Sequence, residues 1–505
     1  METLMGNSES QLTFGWGSLF LITAYLLSMI GIGWLAHRKS QSHSLADFYL
    51  GGRSLGFLTL FLTLYATQYS GNTLFGYTGI AYRMGFGWTA SILFMFSIIT
   101  GYLLFAPRLV VLARRQNFIT PGDYISYRFG SPWLTLLSTL LMIYALANYT
   151  LAQLKAMGAA VEGLTHGSVP ASYGIVTLAI IMVLYETLGG MRSVAWTDVI
   201  QGVLLLVGFL LLLFMVPKLA GGLSTVVENL TKSTPSKVEV PTLEGCSTWL
   251  SYVFLFGCGA AIYPQAIQRL YASRSLKGLK RSLALMTFMP LTTALIAMIC
   301  GLTAIIMLPD LNSEETDQVL PRLCSIIMNE SIVGYWLVVV IFAAALAALM
   351  STADSALLSM SSMITKDIFR VYLAPQSSEA QLTSAGKWCS WVIITLLVVI
   401  AIGTDKTLIR LLELKFEVLI QIAPCFFLGL YWKRLSGSTV LVGMMAGLVV
   451  GLWLTVMGYP RVWGLHAGVV GLMVNFTCCL LGSRLTAGYQ ELGGIARSRA
   501  HDRVR

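Results

Sequence analysis

Between Ala345 and Met363 the chain reads ALAALMSTADSALLSMSSM, a carboxylate and a row of hydroxyls inside an apolar run. Set on a helix, Ala348, Ser351, Thr352, Ser355 and Ser359 lie three or four residues apart and share one face, with Asp354 on its border. A carboxylate at the centre of a bilayer costs about 2.5–3.5 kcal/mol on insertion scales, so it persists only beside a partner or a watery cavity. Hydroxyl oxygens and a carboxylate, with no thiolate or imidazole among them, are the donor set of a hard cation. The plainer alternative is that small serines and threonines let helices pack closely. Asp354 weighs against that alternative.

Composition identifies the solvent around this segment. Of 505 residues 56% are hydrophobic and 11% charged, with a mean hydropathy of +0.75. Soluble domains carry about 25% charged residues, so the chain reads as an all-α membrane protein embedded in a lipid bilayer. Its apolar runs are each near the roughly 20 residues a helical crossing needs, well beyond the length of a barrel strand. About thirteen such spans make one membrane domain. Residues 16–36 form an extra N-terminal helix, 55–217 and 247–431 two halves, 438–482 the C-terminal helices and 483–505 a basic tail. No nucleophile–base pair, phosphate loop or metal-ligand cluster points to an enzyme. Most of the eight cysteines, among them Cys258, Cys300, Cys425, Cys478 and Cys479, sit in apolar runs as small hydrophobes. Cys246 and Cys324 fall in polar stretches, where a pairing is open.

The loops orient the chain. Arg38, Lys39 and Arg53 lie in the first connection, Arg114 and Arg128 in the third, and Arg269, Arg274, Lys277, Lys280 and Arg281 in the seventh. The eighth holds Asp310, Glu314, Glu315, Asp317 and Glu330 against Arg322. Alternate loops are thus basic, which places the N-terminus outside and the C-terminus in the cytoplasm of a multi-pass plasma-membrane protein of bacterial inner-membrane type. The net charge of +10 follows from this anchoring and calls for no nucleic acid. Leu19–Ala36, followed by His37, Arg38 and Lys39, reads as a first span rather than a cleaved signal. Two spans are interrupted, at Tyr69–Gly79 (YSGNTLFGYTG) and Phe256–Pro264 (FGCGAAIYP). They stand five spans apart and so run in opposite directions. Interrupted helices at matching places in two halves mark an inverted-repeat transporter.

Six segments carry a family likeness: DFYLGGRSLG (Asp47–Gly56), ATQYSG (Ala66–Gly71), LGGMRSVAWTDVIQ (Leu188–Gln201), YPQAIQRLYA (Tyr263–Ala272), ALMSTADS (Ala348–Ser355) and LYWKR (Leu430–Arg434). In this order, and over nearly the whole chain, it resembles the sodium/solute symporter family, whose members carry proline, pantothenate, sugars, sialic acid, monocarboxylates or iodide. The resemblance implies a leucine-transporter-like fold of two inverted five-helix repeats, spans two to six and seven to eleven. It implies sodium as the coupling ion and a site between the broken second span and span nine. The carbonyls of Ala66, Tyr69 and Ala348 and the hydroxyls of Ser351 and Thr352 would be its ligands. Arg53 matches an arginine important for sodium coupling, and its plain reading is a cytoplasmic anchor. In two-sodium members a second ion lies by a carboxylate matching Asp198 and by positions matching Ser351, Asp354 and Ser355. That implies two sodium ions per solute here; the alternative is that Asp198 pairs with a nearby basic or amide group.

The resemblance also places a small-molecule solute beside Ser70, Asn72 and Thr73 of span two and Phe256, Ala260 and Pro264 of span seven. Gln68 stands where proline carriers have an aspartate, and Ala260 where they have an aromatic. No complete sugar-binding set is present. A small carboxylate or amino acid is the expected cargo, its carboxylate held by half-helix amides. Glu186 and Gln201 read as packing residues, His166 and His466 as loop or interface histidines, and Arg410, Glu413, Lys415 and Glu417 as a solvated helix end. Two other functions stay open: a membrane sensor that binds solute without net transport, and proton coupling through Asp198 or Asp354. Oligomeric state is not legible.

Overall fold

A computed structural model describes residues 14–39, 44–164, 168–313, 315–403 and 415–501, apart from the side chains of Asn72, Leu164, Asp317 and those beyond 485. His166, Glu314, Arg410 and Glu413 lie outside the described residues, as do the first thirteen residues and the side chains of the basic tail. Among the described residues ten stretches are helical, long and apolar enough to cross a membrane. Among the described residues the one sheet pairs Arg461–Val462 with Leu465–His466. Trp16, Phe20, Phe214, Trp388 and Val456 each expose more than 70% of their surface, which a lipid-facing shell explains and a watery one does not.

The helical stretch Ala171–Leu219 is two helices that meet at a sharp break at Gly190, where the backbone leaves helical values and the chain turns back. Tyr185 and Ser193, one on each side of the break, both abut Gly33 of helix Trp16–Arg38. Gly190 makes the bend with φ 55° and ψ −143°. A Cβ there would stand 2.3 Å from the Phe48 carbonyl oxygen, because the short helix Leu45–Leu50 fits under the bend.

Both interruptions are present. Helix Phe57–Gln68 ends where Tyr69 (φ −102°, ψ 97°) and Ser70 (φ −91°, ψ 176°) turn extended, and Gly71–Met84 resumes. Gly71 is needed for contact: a Cβ would meet Leu349 Cδ2 at 2.2 Å. Helix Leu243–Gly259 tightens into a 3₁₀ turn at Ala260–Ile262, leaves the helix at Tyr263 and restarts as Pro264–Ala272. Proline has no N–H to continue a helix but is pre-set to open one.

Helix Ile332–Met363 packs between the two broken ones and is buried without interruption from Ala343 to Met363. The segment after Gly51–Arg53 ties the first half of one broken helix to the end of the other. Leu55 N–H donates to the Ala272 carbonyl (3.1 Å), and Arg274 N–H donates to that of Leu55 (2.7 Å). The cysteine expectation is corrected in part. All eight are free, and Cys324 lies on the buried face of helix Val319–Glu330 rather than in a loop. That helix runs to Glu330, the end of the acidic stretch.

Gly190→Ala should therefore destabilise the protein by about 2 kcal/mol or more, from backbone strain in a glycine-only region together with the Phe48 contact. Gly31→Ala, in open space inside helix Trp16–Arg38, should be neutral or gain up to about 1 kcal/mol. Unfolding midpoints in detergent distinguish the two; equal midpoints would contradict the role given to Gly190.

Candidate functional site

Where helix Phe57–Gln68 breaks, its last carbonyls lose their intrahelical donors. Tyr65 O still accepts from Tyr69 N–H at 3.0 Å, but Ala66 O accepts instead from Ser351 Oγ, also at 3.0 Å. Ser351 Oγ lies 3.3 Å from the Ala348 carbonyl as well. Three of the expected sodium ligands thus converge on one hydroxyl. Beside them Thr352 Oγ1 is buried with no hydrogen-bond partner among the described residues. Buried polar atoms are normally satisfied, and an all-oxygen set of carbonyls and hydroxyls suits a hard cation. The residues present fit sodium. The Tyr69 ring packs against that of Tyr65, tilted by 41° with centroids 5.1 Å apart.

One turn further along Ile332–Met363 lies a charged cluster. Arg269, on the half-helix Pro264–Ala272, is fully buried and donates from Nη2 to Asp198 Oδ2 at 2.8 Å. Its Nε donates to Thr63 Oγ1 at 2.7 Å, and Nη2 also reaches Ser355. Thr63 bonds the same carboxylate oxygen of Asp198. Ser355 in turn donates to Asp354 Oδ1 at 3.1 Å, and Tyr185 donates to Asp354 Oδ2. The four elements that carry Thr63, Asp198, Arg269 and Ser355 therefore meet at one guanidinium. Asp198, Asp354 and Ser355 come together as expected, with Arg269 among them. Two buried carboxylates face one buried guanidinium, which leaves one negative charge over when both are ionised. Asp198 Oδ1 has no hydrogen-bond partner among the described residues. The lower serines serve the same half-helix: Ser359 donates to Gln268 Oε1 at 2.6 Å, and Gln268 Nε2 donates to Ser362.

A cavity of about 20 Å³ opens at the two breaks. That is room for about one water, so an organic solute requires the walls to part. Gln68, Ser70 and Thr73 line it from the first broken helix and Phe256 and Tyr263 from the second. Ala260 and Pro264 are buried but stand outside its lining; the Ala260 carbonyl lies 3.5 Å from Tyr102 hydroxyl, which donates to Gln68 Oε1 at 3.0 Å. Asn72's side chain is outside the described residues. The expected solvated helix end is corrected here. Lys415 is 1% exposed and lines the cavity, and Glu417 is half-buried, accepting from Thr455 at 3.2 Å. Arg53 sits apart, at the Leu55–Ser273 latch, donating to Phe118 O at 3.1 Å; burial, with Arg114 nearby, lowers its pKa from the ordinary guanidinium value.

Glu186 accepts from Ser390 at 2.9 Å, and Gln201 reaches Met29 Sδ at 3.9 Å. His466 N–H donates to Ser251 Oγ at 2.8 Å. Sequence reasoning missed Arg269, Lys415 and Tyr149 as site residues. The one available signal for Arg269 was its place in YPQAIQRLYA, directly after an interrupted helix.

A family model described as the sodium:solute symporter family matches residues 48–447. The chain is 29% identical to the sodium/pantothenate symporter of Escherichia coli (strain K12) over 92% of its own length and 95% of that protein's. It is 26% identical to the osmoregulated proline transporter of Bacillus subtilis (strain 168), covering 92% and 93%. Among solved structures, a substrate-bound, outward-open sodium-coupled sialic acid symporter superposes with a TM-score of 0.79 at 20% identity, covering 93% of this chain and 98% of that one. This likeness places the fold among leucine-transporter-like transporters.

Arg269→Gln would leave two buried carboxylates facing no cation, and breaking a buried pair costs about 3–5 kcal/mol. The variant should unfold at markedly lower temperature in detergent, and adding Asp198→Asn should restore most of the loss. An unchanged midpoint for Arg269→Gln would show that the guanidinium is not what neutralises the cluster.

Proposed function

Because the chain belongs to the sodium:solute symporter family, we propose that it imports a small carboxylate-bearing solute by alternating access, with sodium as the driving ion. The observation that carries this reading is the convergence of Ala66 O, Ala348 O and Ser351 Oγ beside the orphaned Thr352 Oγ1 at a helix break. Tyr69 O completes the proposed set. Sodium held there bridges the broken helix to Ile332–Met363, and losing it frees the two to move apart. Residues 55–217 and 247–431 act as inverted repeats in this reading, within about thirteen crossings. The basic loops lie in the cytoplasm, the acidic 310–330 stretch outside, and Arg53 couples sodium occupancy to the cytoplasmic latch.

The charged cluster supports a second sodium. One guanidinium compensates one of two carboxylates, and an uncompensated charge in the membrane interior is costly. A sodium ion taking Asp198 Oδ1, Asp354, Ser351 and Ser355 would balance the cluster. A proton on Asp354 would also balance it, and that is the second reading. One sodium crossing 100 mV releases about 2.3 kcal/mol, and a tenfold gradient adds about 1.4 kcal/mol. Two ions thus square the accumulation that one can sustain for a neutral solute. The family relatives named above are transporters, so a sensor role has no comparable support.

Thr352→Ala should weaken sodium activation of uptake about tenfold or more, while solute affinity at saturating sodium changes little, because one of about five ligands is lost in a dry site. Sodium titrations of uptake into proteoliposomes measure this. Unchanged sodium dependence at normal protein content would refute the site.

A further inference from the structure

Lys415 is the one basic side chain that lines the cavity, and no acid lines it among the described residues. Its side chain is 1% exposed, as deep as the apolar core. Its ammonium lies 3.2 Å from the centroid of the Tyr149 ring, 4.8 Å from that of Phe416 and 5.4 Å from that of Tyr263. Tyr149 and Tyr263 stack 5.4 Å apart and nearly parallel, so the ammonium rests against a built aromatic wall. Among the described residues no carboxylate pairs with it and no hydrogen bond from it is formed. The five ion pairs of the described residues leave it out, whereas Arg269, the other fully buried cation, has Asp198. Ring faces offset part of the desolvation of an ammonium; they do not cancel its charge. A buried charge is retained where something charged comes to meet it.

We propose that Lys415 is the counter-ion for the solute, and that the cargo is an organic monocarboxylate carrying a net negative charge. This rests on the symport reading above and narrows it. The opposite wall supports the same sign. Ser70 and Thr73 stand at the start of the half-helix Gly71–Met84, where the helix dipole favours an anion. The remaining lining from Phe256, Phe416, Met95 and Ile98 is apolar and suits a hydrocarbon body. A zwitterionic amino acid would bring a second ammonium into a wall with no acid to receive it. A neutral sugar would leave Lys415 uncompensated.

Binding to the full-length protein in detergent tests this. Sodium is added first, and then a panel of monocarboxylates (lactate, longer hydroxy acids, pantothenate and sialic acid), their neutral amides, proline and glucose. Thermal stabilisation is read at each addition. At least one carboxylate should bind and its amide should not. Lys415→Met should weaken that anion about 100-fold, Lys415→Arg no more than about tenfold, and both variants should keep the stabilisation by sodium alone. The sodium response also shows that the variants are folded. Binding of proline or glucose but of no anion, binding of nothing in the panel, or equal anion affinity in Lys415→Met would overturn the assignment. If sodium alone fails to stabilise the wild-type protein, the symport reading falls; if sodium acts and charge does not discriminate, only the Lys415 assignment falls.

Discussion

Arg269 and Asp198 form an ion pair with no exposure on either side, and much of the molecule is arranged around it. A guanidinium in a low-dielectric interior must be paired and must have its N–H groups taken up. Here the second half of one broken helix supplies the cation. The first half of the other supplies Thr63, the helix that follows the break at Gly190 supplies Asp198, and Ile332–Met363 supplies Ser355. Pulling any one of these elements away strands a charge. If these elements move in alternating access, as proposed, they are joined where motion is most expensive, and a cation at Asp198 and Asp354 would alter that cost.

The hydroxyl row has three jobs in sequence along one helix. Ser351 bonds the Ala66 carbonyl freed by the break after Gln68, Ser355 links the guanidinium to Asp354, and Ser359 and Ser362 hold Gln268. The apolar neighbours Leu346, Leu349 and Leu357 are buried with them on the same stretch of helix. Each interruption in a broken helix thus meets the part of the row whose chemistry it lacks. The first exposes carbonyls and meets hydroxyl donors, and the second brings a charged half-helix and meets acceptors. At the two breaks the cavity is lined by Lys415, so in the proposed reading a basic solute wall lies close to the acidic cluster.

Much of this was legible from local chemistry. Tyr69–Gly79 and Phe256–Pro264 announce their breaks through glycine and proline, whose backbone limits are intrinsic to the residue. The serine face follows from helical spacing alone. Lys415 was misread because Arg410, Glu413, Lys415 and Glu417 are four charges in eight residues, which hydropathy averages into a wet helix end. Only the packing of Tyr149 and Tyr263, from distant segments, shows that Lys415 faces inward. Arg269 was placed in a basic loop because Arg274, Lys277, Lys280 and Arg281 follow it closely. Its partner lies 71 residues earlier in the chain, and no local pattern encodes that pairing. Cys324 shows the same limit: charged neighbours made its helix look like a loop.

The central claim is that the two-carboxylate, one-guanidinium cluster binds a cation in addition to the sodium at the break. Its most direct test is the gradient at which net solute flux vanishes in proteoliposomes held at zero voltage and equal pH on both sides. With two sodium ions per solute, a tenfold sodium gradient should hold a hundredfold solute gradient, about 2.8 kcal/mol. Balance at a tenfold solute gradient would mean one sodium per solute, and would contradict the second site.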